Sequence, residues 1–199
     1  MKREFPEVNM QISTDWSARL VEKVAQGRLD AATVFLPPKA VIPEGLSGDR
    51  LAMTDVVVVA AQGQFAQPGG KLRGYAEVGW ILNPEGCGFR AALQRQLSAL
   101  GLRFTLNLEI FGSELQLGLV AAGLGVGFVS RTSLLASRWR DSLDVLDPRD
   151  FSFAVDVWLV GSAFHGNMQK AVAHFGQSIA QAFPPSKAVR PRMRPAAAR

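Results

Sequence analysis

Short runs in which apolar and polar positions alternate are separated by segments in which apolar residues recur every three to four positions, the pattern of an α/β chain. The stretch from Asn107 to Ala136 shows it most completely. Leu106, Leu108 and Ile110 alternate with Asn107 and Glu109, which predicts a strand with one buried face. Ser113 with Gln116 three positions on has the spacing of a capping box opening a helix. Leu115, Leu119 and Ala122 fall on one helical face with Val120 beside them, and Gly123 marks the end of that helix. Leu124–Val129 is apolar and glycine-broken, as a strand buried on both faces would be. A strand–helix–strand unit of this kind implies a parallel sheet with a right-handed crossover.

The same reading extends to the rest of the chain. Val8–Ser13 alternates and predicts a strand, and Thr14 or Asp15 would cap a helix to about Gln26, stopped by Gly27, with Leu20, Val24 and Trp16 inward. Leu29–Phe35 and Leu51–Ala61 predict further strands, the second carrying the β-branched run Val56–Val59. After the turn cluster GQFAQPGGK come a strand at Val78–Leu82 and a break at Asn83-Pro84. A helix follows, with Phe89, Leu93, Leu97 and Leu100 on one side. Beyond the central stretch, a short helix is expected at Arg131–Ser137, a strand at Phe153–Val160, and a last helix at about Asn167–Ala182 with Met168, Val172, Phe175 and Ile179 at helical spacing. Two strand–helix–strand units separated by a Gly/Pro linker predict two α/β lobes, with Asp147-Pro148 returning the chain to the first.

Composition narrows the class. A hydrophobic fraction of 48% with 20% charged residues is ordinary for a globular chain, and no apolar run is long enough to span a bilayer. The N-terminus lacks the apolar core of a secretory signal. The single cysteine, Cys87, excludes an internal disulfide framework and fits a reducing compartment, so a cytoplasmic location is expected. The net charge of +5 is misleading. Five of the 22 Lys and Arg lie at the C-terminal end (Lys187, Arg190, Arg192, Arg194, Arg199) with no acid among them, leaving the rest of the chain neutral. That Pro/Ala/Arg segment is expected to be a disordered basic tail.

Candidate chemistry is sparse. Gly123, Gly125 and Gly127 follow a helix and precede a strand, the reverse of a dinucleotide fingerprint, so close helix–strand packing is the better reading. His165 and His174 have no ligand-spaced partners, which argues against a metal. Cys87 stands before a helix N-terminus, but no base for nucleophilic catalysis is visible beside it. More coherent are the three expected helix starts at Thr14-Asp15, Gly86-Gly88 and Gly112-Ser113. Each follows a predicted strand end, where open α/β sheets bind ligands and where free N–H groups favour anions. The Ser and Thr there would serve at least as helix caps.

FPEVNMQIS, LVEKVAQGRLDAATVF and ELQLGLVAAGLGVGFVS, in this order and spacing, resemble the effector-binding domain of LysR-type transcriptional regulators over about Met1 to Phe183. The resemblance implies an α/β, type 2 periplasmic-binding-protein fold: two Rossmann-like lobes joined by two crossovers. The lobes would comprise residues 1–67 and 147–183 for the first and 68–146 for the second, with 184–199 as the tail. By similarity, effector contacts map onto Ser13, Thr14 and Trp16, onto Phe35 and Leu36, onto Asn83, Glu85, Gly86, Cys87 and Gly88, and onto Phe111, Gly112 and Ser113. The effector would be a small organic anion, with no cofactor and no metal. DNA would be reached only through a helix-turn-helix domain outside this chain, and the full-length regulator would be a homodimer or tetramer. The family's domain opens with a strand and a helix ending near "REFPEV", so the resemblance implies an N-terminally truncated domain whose first strand is missing. A solute-binding protein of the same fold, and an enzyme on it, remain the alternatives. A signal sequence upstream would mark the former, and loss of activity on replacing Cys87 with Ser the latter.

Overall fold

The computed structural model describes residues 3–66, 69–164 and 166–183. Its centre is a mixed seven-stranded sheet. The helices and strands, in chain order, begin with α1 (Ser17–Ala25), β1 (Ala31–Leu36), β2 (Ser47–Ala61), α2 (Leu72–Ala76), β3 (Trp80–Leu82), α3 (Gly88–Ala99) and β4 (Leu106–Glu109). They continue with α4 (Ser113–Ala121), β5 (Val126–Ser130), α5 (Arg131–Ala136), β6 (Leu143–Val145), β7 (Phe153–Gly161) and α6 (Gly166–Gln181). The strand order is β1-β7-β2-β5-β3-β4, with β6 also on β2. The basic tail expected at 184–199 and His165 lie outside the described residues.

β2 organises the sheet. Its first part pairs antiparallel with β7 from Ser47↔Gly161 to Val56↔Phe153, with a bulge between Arg50 and Ala52. Its last part pairs with β5 (Val56↔Ser130 to Val59↔Gly127) and then with β6. Side chains of a strand alternate between faces, and here the alternation divides two cores. Val56, Val58 and Ala60 join Trp80, Leu82, Phe128, Leu93 and Leu97 under α2 and α3. Val57 and Val59 join Ile81, Val129, Leu117 and Val120 under α4 and α5. A third core, built from Val24, Ala32, Val34 and Val160, packs α1 against the β1–β7 end. Asp156, buried in β7, is paired by Arg50 of β2 at 2.6 Å, so its charge is not left alone inside.

The β3–α3–β4–α4–β5 succession is parallel, as predicted from the central stretch. Gly123, at φ +78°, ends α4 in the left-handed region that glycine adopts without a Cβ penalty. A Cβ on Gly127 would lie 3.0 Å from both Val120 and Val59, so this glycine serves close helix–strand packing rather than phosphate binding.

Several expectations fail for identifiable reasons. Val8–Ser13 runs irregularly, with Ile12 76% exposed; alternation alone cannot make a strand without a ladder beside it. The first unit is therefore not strand–helix–strand, and β1 and β7 pair antiparallel. α1 starts at Ser17 behind Trp16, because the Asp15 carboxylate is drawn to Lys23 as well as to the Trp16 N–H. The capping box at Ser113 does not form: Gly112 occupies the N-cap position, and Gln116 is fully buried with its amide on the Ile81 carbonyl. This rotates α4, burying Gln116, Leu117 and Val120 and leaving Leu115 57% exposed. Leu108 is exposed because β4 is an edge strand. β2 begins four residues before the predicted Leu51, and the short elements α2 and β6 went unpredicted.

The α3 stripe gives a direct test. Leu97 is fully buried, whereas Leu100, on the same stripe, is 36% exposed. Leu97→Ala is expected to cost about 2–5 kcal/mol in urea unfolding and Leu100→Ala less than about 1 kcal/mol; comparable losses would contradict the packing.

Candidate functional site

A cavity of about 530 Å³ lies where the two lobes meet. Three helix starts reach it: Trp16 and Ser17 of α1, Cys87 and Gly88 of α3, and Gly112 and Ser113 of α4. α3 and α4 follow the C-terminal ends of the parallel strands β3 and β4, which is where an open α/β sheet leaves a crevice. The floor comes from Phe128, Val129 and Ser130 at the end of β5 and from Phe153 and Val155 in β7.

Aromatic rings join the two sides. The Trp16 indole stacks on Phe111 across the opening, with centroids 5.3 Å apart and planes 17° from parallel. Phe35, from β1, meets Phe89, from α3, at 5.6 Å, and Phe89 in turn meets Phe128 and Phe153 at 6.4 Å. Gly86 makes the first contact possible: its φ is +95°, and a Cβ there would sit 2.5 Å from the Trp16 ring.

A buried amide relay shapes the second-lobe wall. Gln116 donates to the Ile81 carbonyl at 2.7 Å and accepts from Asn83 at 3.2 Å, while Asn83 Oδ1 accepts from the Gly112 N–H at 2.9 Å. The relay fixes both helix-start loops to strand β3. Arg90, also buried, steadies the same loop by donating to the Asn83 carbonyl and pairing with Glu109. On the facing wall, Asp15 is held below the ordinary carboxylate range, chiefly by its hydrogen bond from Lys23 and then by the Trp16 N–H.

Of the positions the resemblance suggests, Thr14, Trp16, Phe35, Asn83, Cys87, Gly88, Phe111, Gly112 and Ser113 line this one cavity. Ser13, Leu36, Glu85 and Gly86 do not. Ser13 is exposed, and Leu36 packs into the core under α1. The Glu85 side chain is 87% exposed and lies 3.8 Å from Arg90, and Gly86 sits behind Trp16. Ser17, Ala91, Arg95, Gln116, Ser130 and Ser133 line the wall outside those positions, and so does Asp15, expected only as part of a ligand-facing helix start. Ala91 and Arg95 follow Gly88 at helical spacing, a signal that was available once Gly88 was placed. Phe89, Phe128, Phe153 and Val155 also line it but read in sequence as ordinary core.

A second hollow of about 670 Å³ lies beside Asp55, Arg131 and Asp147. Though larger, it has a charged rim paired within itself: Arg131 lies 3.6 Å from Asp55 and 3.8 Å from Asp147. Among the described residues, no group of His, Cys, Asp and Glu is arranged to hold a metal ion, and no helix is long and apolar enough to cross a membrane.

Two α/β lobes closing on one interlobe cavity define a ligand-binding domain of the type 2 periplasmic-binding-protein class. The chain belongs to the LysR substrate binding domain family, whose model matches residues 1–184. Domains of this family are ligand-sensing parts of transcription regulators and not enzymes. Solved structures share the fold. The regulatory domain of CcmR from Synechocystis PCC6803, in complex with 2-PG, is 16% identical with a TM-score of 0.73, covering 90% of this chain and 87% of that one. The apo regulatory domain of HypT from Salmonella typhimurium is 14% identical with a TM-score of 0.69, covering 87% and 83%. The effector binding domain of QuiR in complex with shikimate is 13% identical with a TM-score of 0.65, covering 84% and 79%. No curated protein matches the chain.

Gly86→Ala is expected to cost about 1–3 kcal/mol, from its positive φ and its clash with Trp16. It should also change the near-ultraviolet dichroism of the stacked indole. In a Trp16→Ala background the cost should shrink and the spectral change should vanish; an unaltered cost there would mean that the indole does not lie over Gly86.

Proposed function

We propose that the interlobe cavity is the effector site of a transcription regulator and that its effector is a small organic anion. The observation that carries this reading is the convergence of three helix N-termini and an aromatic bridge from both lobes on a single half-open cleft. Free N–H groups at helix starts favour negative charge, and enclosure by both lobes makes affinity depend on how they are set. An effector that fits one setting better shifts the population toward it, by no more than its difference in affinity for the two. In the full-length regulator that shift would alter the geometry of DNA-binding domains carried elsewhere in the polypeptide. The small molecules bound by the CcmR and QuiR domains support an effector role. The family membership favours a regulator over a solute-binding protein.

Under this reading the first lobe comprises residues 1–67 and 147–183, and the second 68–146. β2, inside those limits for the first lobe, bonds β7 within it and β5 and β6 across the boundary. The domain would act in the cytoplasm, without a cofactor, within a homodimer or tetramer.

Calorimetry of the chain against a panel of metabolic acids is the test. At least one is expected to bind, and Ala91→Trp, which fills the cavity from the α3 side, should abolish that binding while leaving the unfolding midpoint within a few degrees. A binder indifferent to Ala91→Trp would place the site elsewhere.

A further inference from the structure

Most polar groups on the cavity wall are already committed to the protein. Gln116 and Asn83 spend their amides on each other, on the Ile81 carbonyl and on the Gly112 N–H. Ser17 Oγ accepts from the Phe35 N–H at 3.0 Å, and the hydroxyls of Ser130 and Ser133 are 2.7 Å apart. Asp15, the acid on this wall, is neutralised by Lys23 at 2.7 Å. Among the described lining residues, Arg95, an exposed side chain at the rim, is the one unpaired cation. It lies on the cavity face of α3, one turn beyond Ala91 and two beyond Gly88. Among the described residues, no carboxylate lies within ion-pairing distance of its guanidinium, whereas Arg90 on the same helix is paired with both Glu85 and Glu109. Ala91 between them leaves room for a ligand to reach it.

The largest apolar side chains of the lining are aromatic: Phe35, Phe89, Phe128 and Phe153, with Trp16 and Phe111 over the opening. Ring edges and faces at these spacings reward a flat π-system beyond the area it buries. One unpaired cation matches one anionic group, and a second would have only the weaker pull of the helix starts. A guanidinium presents two parallel N–H donors to a planar carboxylate, and charged hydrogen bonds of this kind are the strong ones.

We propose that the effector is a planar aromatic monocarboxylate, its ring among the four phenylalanines and its carboxylate on Arg95. This rests on the effector-site reading above and adds the ligand's class and its anchor. Thr14 and Ser113, which line the cavity, carry the hydroxyls that would meet a polar ring substituent.

The probe is benzoate, titrated calorimetrically into the full chain beside benzyl alcohol, cyclohexanecarboxylate, phthalate and inorganic phosphate. Benzoate is expected to bind, with benzyl alcohol at least about tenfold weaker for want of the charge and cyclohexanecarboxylate severalfold weaker for want of the ring. Phthalate should be weaker than benzoate, and phosphate should not compete. Arg95→Ala should weaken benzoate by about tenfold or more while leaving benzyl alcohol unchanged, and Arg95→Lys should restore part of the loss. No binding of benzoate, equal affinity for benzoate and benzyl alcohol, or benzoate binding untouched by Arg95→Ala would each overturn the proposal. A different metabolite that Ala91→Trp excludes but Arg95→Ala does not would leave the effector site standing and remove this ligand class. A binder insensitive to both variants would remove both readings.

Discussion

The backbone pairing of β2 is the constraint from which the rest of the molecule follows. This 15-residue strand bonds β7 along its first part, then β5 and β6 along its last, so one continuous strand belongs to both lobes. The run Val56–Val59 suits that role. β-branched residues favour the extended chain, and alternate members feed the cores on opposite faces of the sheet. Because the lobes hang from shared strands rather than from a loose linker, their strand ends and helix starts are held facing one another. The cavity is the space those ends leave.

The polar interior of the second lobe converts that placement into a defined wall. Gln116 is fully buried, and a buried amide must find partners or cost stability. Its partners, the Ile81 carbonyl and Asn83, link α4 to β3, and Asn83 passes the constraint to Gly112. The two helix-start loops that face the first lobe are thus fixed by one satisfied network. The first-lobe side is tied less deeply, by surface pairs such as Asp15 with Lys23, and its Trp16 reaches across to Phe111 and Gly86. A rigid wall facing an aromatic latch is an arrangement in which a ligand can change how the halves sit.

The sequence made the parallel half of the fold legible because its signals are local: alternation, glycine stops and a strand–helix–strand spacing between Trp80 and Ser130. It misled where a partner at long range decides the outcome. Val8–Ser13 alternates like a strand, yet a strand exists only through its ladder. Ser113 and Gln116 have capping-box spacing, but the pull of the Ile81 carbonyl, 35 positions away in sequence, outcompetes the local bond. The cavity was partly legible. Helix starts such as Gly88 and Gly112 could be placed from the pattern, and the family motif brought in Trp16 and Phe111. Arg95 is not marked by its sequence neighbours; only the α3 face it shares with Gly88 and Ala91 brings it, still exposed, to the rim of the cavity. Phe128 and Phe153 were indistinguishable from core, since a ring lining a hollow and a ring filling one look alike in sequence.

Cys87, the one cysteine of the chain, stands at the start of α3 on the cavity wall and is 8% exposed. It therefore reports occupancy of the hollow without any engineered label. The rate at which a small thiol reagent modifies Cys87 should fall in proportion to saturation by the ligand that calorimetry identifies, and prior modification should block that ligand. Reaction at an unchanged rate in the fully bound protein would contradict a binding site between the lobes.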